Sequence, residues 1–152
     1  MPKSDLYERD FYGWTRQQAA LLRAGSLVSA DIENIAEEIE SMGRSERREL
    51  VNRLVVLILH LLKWRFQPGL RGNGWRLSIE EQRCRLADHM GDNPSLKFQL
   101  DRAIAEAHRL ACIGAERETG LPRITFPPLC AWSFDQMMDA TFWPDEKGIE
   151  GG

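Results

Sequence analysis

An acidic segment near the start of the chain carries the residues most suited to a metal or acid–base site. Glu33, Glu37 and Glu40 fall within about 60° of arc on one side of a predicted helix. If that helix packs against the one that carries His60, three carboxylates and an imidazole could meet, as in the metal sites of helical bundles. No Glu-x-x-His pair accompanies them. The sequence therefore favours solvated carboxylates and salt bridges, and it predicts no cofactor.

A basic aromatic segment, KWRFQPGLRGNGWR, alternates cations with aromatic rings. Its candidate binding residues are Lys63, Trp64, Arg65, Arg71, Trp75 and Arg76. Such interleaving is typical of surfaces that stack bases and contact phosphates of single-stranded nucleic acids. The alternative is that the rings fill the core while the cations pair with acids of the same chain. The formal net charge is −3, whereas nucleic-acid-binding domains are usually strongly basic. The sequence favours intramolecular pairing and keeps nucleic-acid binding as the second interpretation.

The remaining histidines and cysteines indicate no site. His108 and Cys112 are four residues apart and could share a helix face, but two ligands do not make a zinc site. The three cysteines are widely spaced, so no disulfide framework is predicted and a cytoplasmic location fits best. The charged N-terminus and the absence of about 20 consecutive apolar residues predict no export and no membrane association.

Helices must position these residues, because apolar side chains recur at helical spacing. The most apolar run, LVVLILHLL at 54–62, belongs to a helix predicted over 45–66, which we expect at the centre of a bundle. Gly43 either separates this helix from the preceding one or bends a single helix spanning roughly 31–66. The other predicted helices cover residues 5–24, 31–42, 79–90, 94–119 and about 134–140. Gly13 makes a break possible in the first of these, Ser78 with Glu81 predicts a cap at the start of the helix over 79–90, and Ser133 with Gln136 predicts a capping box for the last.

These elements predict an all-α, single-domain bundle of about five helices over residues 1–144. A chain of 152 residues is long enough to bury one hydrophobic core without disulfides or metals. Residues 121–144 are rich in proline and aromatic residues, so we expect an extended strap packed on the bundle. The last residues, 145–152, are predicted to be a disordered tail.

Several longer strings of residues resemble a known family. They are DFYGWTRQQAALLRAG, DIENIAEEIESMGRSERREL, LLKWRFQP, RETGLP and FWP, and together they span Asp10 to Pro144. In these stretches the chain resembles the bacterial family catalogued as domain of unknown function 29. The resemblance implies a small bacterial all-helical protein, and it brings with it no reaction, cofactor or catalytic residue.

The functional expectation is a non-catalytic protein-interaction module with an unidentified protein partner. A nucleic-acid-associated accessory protein that uses residues 63–76 is the alternative. A metal-dependent or acid–base enzyme built on Glu33, Glu37, Glu40 and His60 is the least favoured. A homodimer is compatible with the sequence, since exposed apolar helix surface is a common route to self-association.

Overall fold

A computed structural model describes residues 4–144 of the chain. These residues form six α-helices and no β-strand, which confirms the predicted all-α fold. The helices are α1 (Ser4–Arg9), α2 (Phe11–Arg23), α3 (Ile32–Phe66), α4 (Asn73–Asp92), α5 (Leu100–Thr119) and α6 (Phe134–Met138). Short 3-10 turns occupy Leu27–Ser29, Pro68–Leu70, Pro94–Gln99 and Arg123–Thr125. The predicted disordered tail at 145–152 lies outside the described residues.

The chain divides into two compact units, Met1–Ser45 and Glu46–Gly152. Helix α3 contributes residues to both units. The predicted domain limits, 1–144, stay a prediction.

The first unit is held together by aromatic rings and a buried polar network. The rings of Tyr7, Phe11 and Trp14 lie 4.7–5.7 Å apart. The indole N–H of Trp14 donates to Oδ2 of Asp31 at 3.0 Å, and the Asp31 backbone N–H donates to the side-chain oxygen of Gln18 at 2.7 Å. Satisfied buried polar groups of this kind fix one arrangement of the helices, because an unmade buried hydrogen bond is costly.

The helix predicted over residues 5–24 is interrupted at Asp10. The Asp10 side chain accepts a hydrogen bond from the backbone N–H of Gly13 at 3.0 Å and caps the start of α2. The sequence placed a possible break at Gly13 itself, three residues too late. Gly25 and Gly120 have φ values of 73° and 77°, and they follow α2 and α5 where the sequence predicts helix ends.

The helix predicted to end at Gly43 continues through that glycine. Helix α3 runs without interruption for 35 residues, so the single-helix interpretation of residues 31–66 is correct. Glycine in a helix interior costs about 1 kcal/mol relative to alanine, but it ends the helix only where the chain turns into another conformation.

Two other helix starts differ from their predictions. Helix α4 begins at Asn73, so Ser78 lies inside the helix and the cap predicted there is wrong. The residues Pro94–Gln99 form a 3-10 helix, and the α-helix predicted from residue 94 begins at Leu100. Proline is compatible with the first turn of either helix type, so the sequence signal did not distinguish them.

The apolar part of α3 forms the centre of the second unit. Its fully buried side chains are Leu50, Leu54, Leu57, Ile58, Leu61 and Leu62. They form one core cluster with Ile79 and Leu86 of α4 and with a row of alanines on α5. A Cβ added to Gly114 of α5 would lie 3.6 Å from the Leu59 side chain, so small residues on α5 allow the two helices to approach closely.

The C-terminal segment of the second unit contributes Phe126, Trp132 and Met137 to the same core. Helix α6 starts with the predicted capping box, in which Ser133 and Gln136 exchange side-chain and backbone hydrogen bonds. The segment also contains a 3-10 turn. The prediction of an extended strap is therefore not confirmed.

Candidate functional site

The basic aromatic segment predicted as a binding site lies in the second unit, where its side chains contact other parts of that unit. Lys63 forms an ion pair with Glu118 of α5, with Nζ and Oε1 2.6 Å apart. The same ammonium lies 5.0 Å from the centre of the Trp75 ring. Lys63 thus joins α3 to α5 and to the start of α4.

Trp64 and Arg71 hold the end of the described chain. The ring of Trp64 lies 4.7 Å from that of Trp143. Arg71 donates from Nε to the Trp64 carbonyl at 2.6 Å and from Nη2 to the Pro144 carbonyl at 3.4 Å. Its guanidinium also lies 5.2 Å from the centre of the Trp64 ring. These contacts use the groups that would otherwise meet a base or a phosphate.

The other two cations of the segment are also engaged. The guanidinium of Arg65 lies 4.4 Å from the centre of the Phe66 ring, and burial lowers the pKa of Arg65 below its ordinary value. Arg76 forms an ion pair with Glu80 one turn along α4, at 2.9 Å. The structure therefore brings the predicted residues together mainly as intramolecular contacts.

The predicted metal ligands fall in two different units. Glu33, Glu37 and Glu40 belong to the first unit and His60 to the second, so their use as one metal site stays a prediction. His60 Nδ1 contacts the Val56 carbonyl at 2.8 Å. Within residues 4–144, no three side chains of His, Cys, Asp or Glu are placed to hold a metal ion.

An exposed apolar stripe marks the first unit. Ile32, Ile39 and Met42 follow one face of α3 at positions i, i+7 and i+10, and they are 52%, 63% and 67% exposed. Glu33 and Glu40 lie next to it on the helix surface, and neither forms an ion pair within the described residues.

The first unit has little hydrophobic core of its own. Among its described residues, the buried hydrophobic side chains are Trp14 and Ala30, while the main core cluster lies entirely in the second unit. In residues 4–144, eight of the fourteen large exposed hydrophobic side chains belong to the first unit. Concentrated apolar exposure of this kind is typical of surfaces that bind a partner.

The second unit contains a cavity of about 660 Å³ that the sequence did not predict. Helix α5 forms one wall with His108 and Cys112, and the segment after α5 forms the other with Ile124, Phe126 and Pro127. His108 is 2% exposed, and its Nε2 donates a hydrogen bond to the Pro127 carbonyl at 2.7 Å. This bond ties the two walls together.

The His108–Cys112 pair is not arranged as a nucleophile and its base. Cys112 Sγ lies 3.4 Å from Nε2, but that nitrogen carries the proton donated to Pro127 and cannot accept one from the thiol. Burial raises the pKa of the Cys112 thiol above its ordinary value. The thiolate is the nucleophilic form of cysteine, so neither this geometry nor the raised pKa activates Cys112 as a nucleophile.

The sequence shows that His108 and Cys112 are four residues apart, but it gives no reason to predict a site there. What the sequence does not reveal is the second wall of the cavity, because nothing in residues 123–129 indicates which helix they cover.

None of the helices in the described part of the chain has both the length and the apolar character needed to span a membrane.

Comparison with known proteins assigns the chain at the level of the family. The family described as "Domain of unknown function DUF29" matches residues 6–143. No curated protein and no solved structure matches the chain. Because the match covers nearly the whole sequence, the chain belongs to the DUF29 family, as its sequence strings predicted.

Proposed function

We propose that the protein is a non-catalytic interaction module whose first unit binds an amphipathic helix of a partner protein. The observation that carries the proposal is the exposed stripe of Ile32, Ile39 and Met42. Folded chains below about 40 residues usually need an additional source of stability, and the first unit is only slightly longer. A helix laid along the stripe would supply the apolar contact that this unit lacks.

The charges beside the stripe indicate the chemistry of the partner. Glu33 and Glu40 form no ion pair within residues 4–144, whereas the neighbouring Glu37 is paired with Arg44 at 2.8 Å. Two unpaired carboxylates next to an apolar face favour a helix whose own apolar stripe is flanked by lysine or arginine. We place this module in the bacterial cytoplasm, a reducing compartment with which its three free cysteines are compatible.

Peptide binding tests the proposal. Two fluorescent 18-residue amphipathic peptides share one leucine stripe and differ only in flanking residues, lysine in one and glutamate in the other. We expect fluorescence anisotropy to show tighter binding of the lysine peptide. Ile39→Glu should weaken its binding by more than about tenfold, because a charge then replaces a buried contact. The matched control is Leu77→Glu, which adds the same charge to an exposed apolar position of α4.

Three outcomes would contradict the proposal: equal binding of the two peptides, equal loss in both variants, or no binding by the unmodified protein. Sedimentation equilibrium measures the predicted homodimer independently. Self-association that Ile39→Glu abolishes and Leu77→Glu leaves intact would identify a second copy, and not a different protein, as the occupant of the stripe.

Among residues 4–144, no contact favours the nucleic-acid alternative. Lys63, Arg65, Arg71 and Arg76 are engaged with carboxylates, carbonyls or rings of their own unit. The role of residues 63–76 in binding stays a prediction, and salt-dependent binding of single-stranded DNA or RNA is the measurement that would support it.

A further inference from the structure

We infer that the cavity between α5 and the segment after it binds a small monocarboxylate with an apolar body, such as a medium-chain fatty acid. The site lies in the second unit and is independent of the stripe proposed above as a docking surface. Its volume of about 660 Å³ lies within the range of about 300–1,000 Å³ that is usual for small-molecule pockets.

Apolar groups form most of the cavity wall. Phe126 and Cys112 of this wall are buried and Pro127 is partly buried, whereas Ile124 and Leu129 are 89% and 75% exposed. An apolar ligand in the cavity would cover them, and burial of that surface would drive binding.

Charged groups at the same cavity favour an anion. Arg109 and Arg123 line it together with one carboxylate, that of Glu106. Glu106 is held by Arg47 at 2.7 Å, and hydrogen bonding to Arg47 lowers the pKa of Glu106. Its negative charge is thus already compensated from outside the cavity.

The two arginines differ in what they contact. Arg123 forms an ion pair with Glu116 at 2.7 Å. Within residues 4–144, Arg109 forms no ion pair. A guanidinium without an ion pair among the described residues, beside an apolar cavity, matches a ligand with one negative charge, and a carboxylate can accept two parallel hydrogen bonds from arginine.

A hydrogen bond between its two walls fixes the shape of the cavity. The hydrogen bond from buried His108 to the Pro127 carbonyl fixes the second wall against α5. A ligand therefore does not have to order the wall when it binds, which lowers the entropic cost of binding.

Calorimetric titration of the full chain with octanoate, decanoate, decanol and decylamine tests the inference. We expect decanoate to bind more tightly than decanol, and decanol more tightly than decylamine. Affinity should rise from octanoate to decanoate by up to about fourfold per CH₂ group. Ala105→Trp, at an exposed position of the cavity lining, should abolish binding of decanoate and decanol alike.

Charge variants separate the head group from the apolar body. Arg109→Gln should weaken decanoate binding by roughly fivefold and leave decanol binding unchanged, because only the ion pair is lost. Arg117→Gln, an exposed arginine of α5 outside the cavity, is the matched control and should change neither. Circular dichroism checks that Ala105→Trp is folded.

The inference is overturned if decanoate does not bind, if it binds no better than decylamine, or if folded Ala105→Trp binds it as well as the unmodified protein. Equal loss in Arg109→Gln and Arg117→Gln would also overturn it, because attraction to the general charge of the surface would then explain binding. None of these results depends on the first unit, so the peptide experiment can succeed or fail separately.

Discussion

Replacing Arg83 with methionine tests whether one buried cation holds the C-terminal segment on the second unit. Arg83 lies on α4 and is almost fully buried. It donates from Nε to the Met137 carbonyl and from Nη2 to the Phe142 carbonyl, both at 2.7 Å. Its guanidinium also lies 5.2 Å from the centre of the Trp143 ring. Methionine keeps the apolar length of the side chain and removes every one of these polar contacts.

Two opposing contributions set the size of the effect. A hydrogen bond from a charged group contributes about 1.5–3 kcal/mol, so the two bonds together contribute about 3–6 kcal/mol. Against this, burial disfavours the charged form of Arg83 and lowers its pKa, and its buried Nη1 atom has no hydrogen-bond partner among the described residues. Removing the charge recovers part of that desolvation cost. We expect a net loss of about 2–4 kcal/mol in the free energy of unfolding.

Arg85→Met is the matched control, two residues further along α4. Arg85 is exposed and forms an ion pair with Glu81 at 2.8 Å. Exposed pairs of this spacing contribute about 0.3–0.5 kcal/mol, so the control should lose little. Urea denaturation followed by circular dichroism measures both variants.

Amide hydrogen exchange locates the effect of Arg83→Met. Protection of residues 134–144 should fall more than protection of the buried residues 54–62, because the lost bonds end in that segment. The reasoning is refuted if Arg83→Met and Arg85→Met differ by less than about 0.5 kcal/mol. Unchanged protection of residues 134–144 would refute it as well.

Three further predictions concern single groups. The hydrogen bond to Glu38 raises the pKa of Tyr7 to about 12. Tyrosine in the unfolded chain titrates near pH 10. The contribution of this hydrogen bond to stability should therefore be complete below about pH 10 and should be lost as the pH rises towards 12. Tyr7→Phe should remove this pH dependence in far-ultraviolet circular dichroism. Cys84 is exposed, so one thiol of the folded protein should react rapidly with Ellman's reagent. Cys84→Ser should remove this rapid reaction. Gly43→Ala should raise the free energy of unfolding by about 1 kcal/mol in urea, because a Cβ there meets nothing within 4 Å.

Each of these predictions has a definite contrary result. An identical alkaline transition in Tyr7→Phe would contradict the proposed hydrogen bond to Glu38. A fast thiol that persists in Cys84→Ser would show that another cysteine is accessible. A destabilised Gly43→Ala variant would show that α3 does not continue as a regular helix at that position.

The all-α fold and the centre of the second unit could be predicted because buried apolar side chains recur at helical spacing in the sequence. The residues from Leu54 to Leu62 are apolar on nearly every side, and most of them are fully buried. The capping box of α6 could also be predicted, because its two residues, Ser133 and Gln136, lie within four residues of the chain. The features that could be predicted are therefore those that depend on residues close together in the chain.

Helix ends were harder to predict, because several residues could each satisfy a local rule. Gly43 matched the rule for a helix end, and Ser78 matched the rule for a helix start, yet both lie inside helices. Asp10 makes the cap that the sequence did not select. A cap residue only offers a hydrogen bond to the backbone, and packing of the whole helix decides whether the chain uses it.

The candidate sites depend still more on contacts between distant parts of the chain. The same lysine–tryptophan pattern would suit a nucleic acid if its cations were unpaired, but Lys63 meets a carboxylate 55 residues away in Glu118. The cavity beside His108 likewise exists because Pro127, 19 residues later, lies against α5. Residue types indicate what a side chain can bind, whereas its availability is set by tertiary partners that leave no periodic signal. In this protein the conspicuous motif is largely occupied by contacts within its own unit, and the two surfaces that we propose for binding carry no motif.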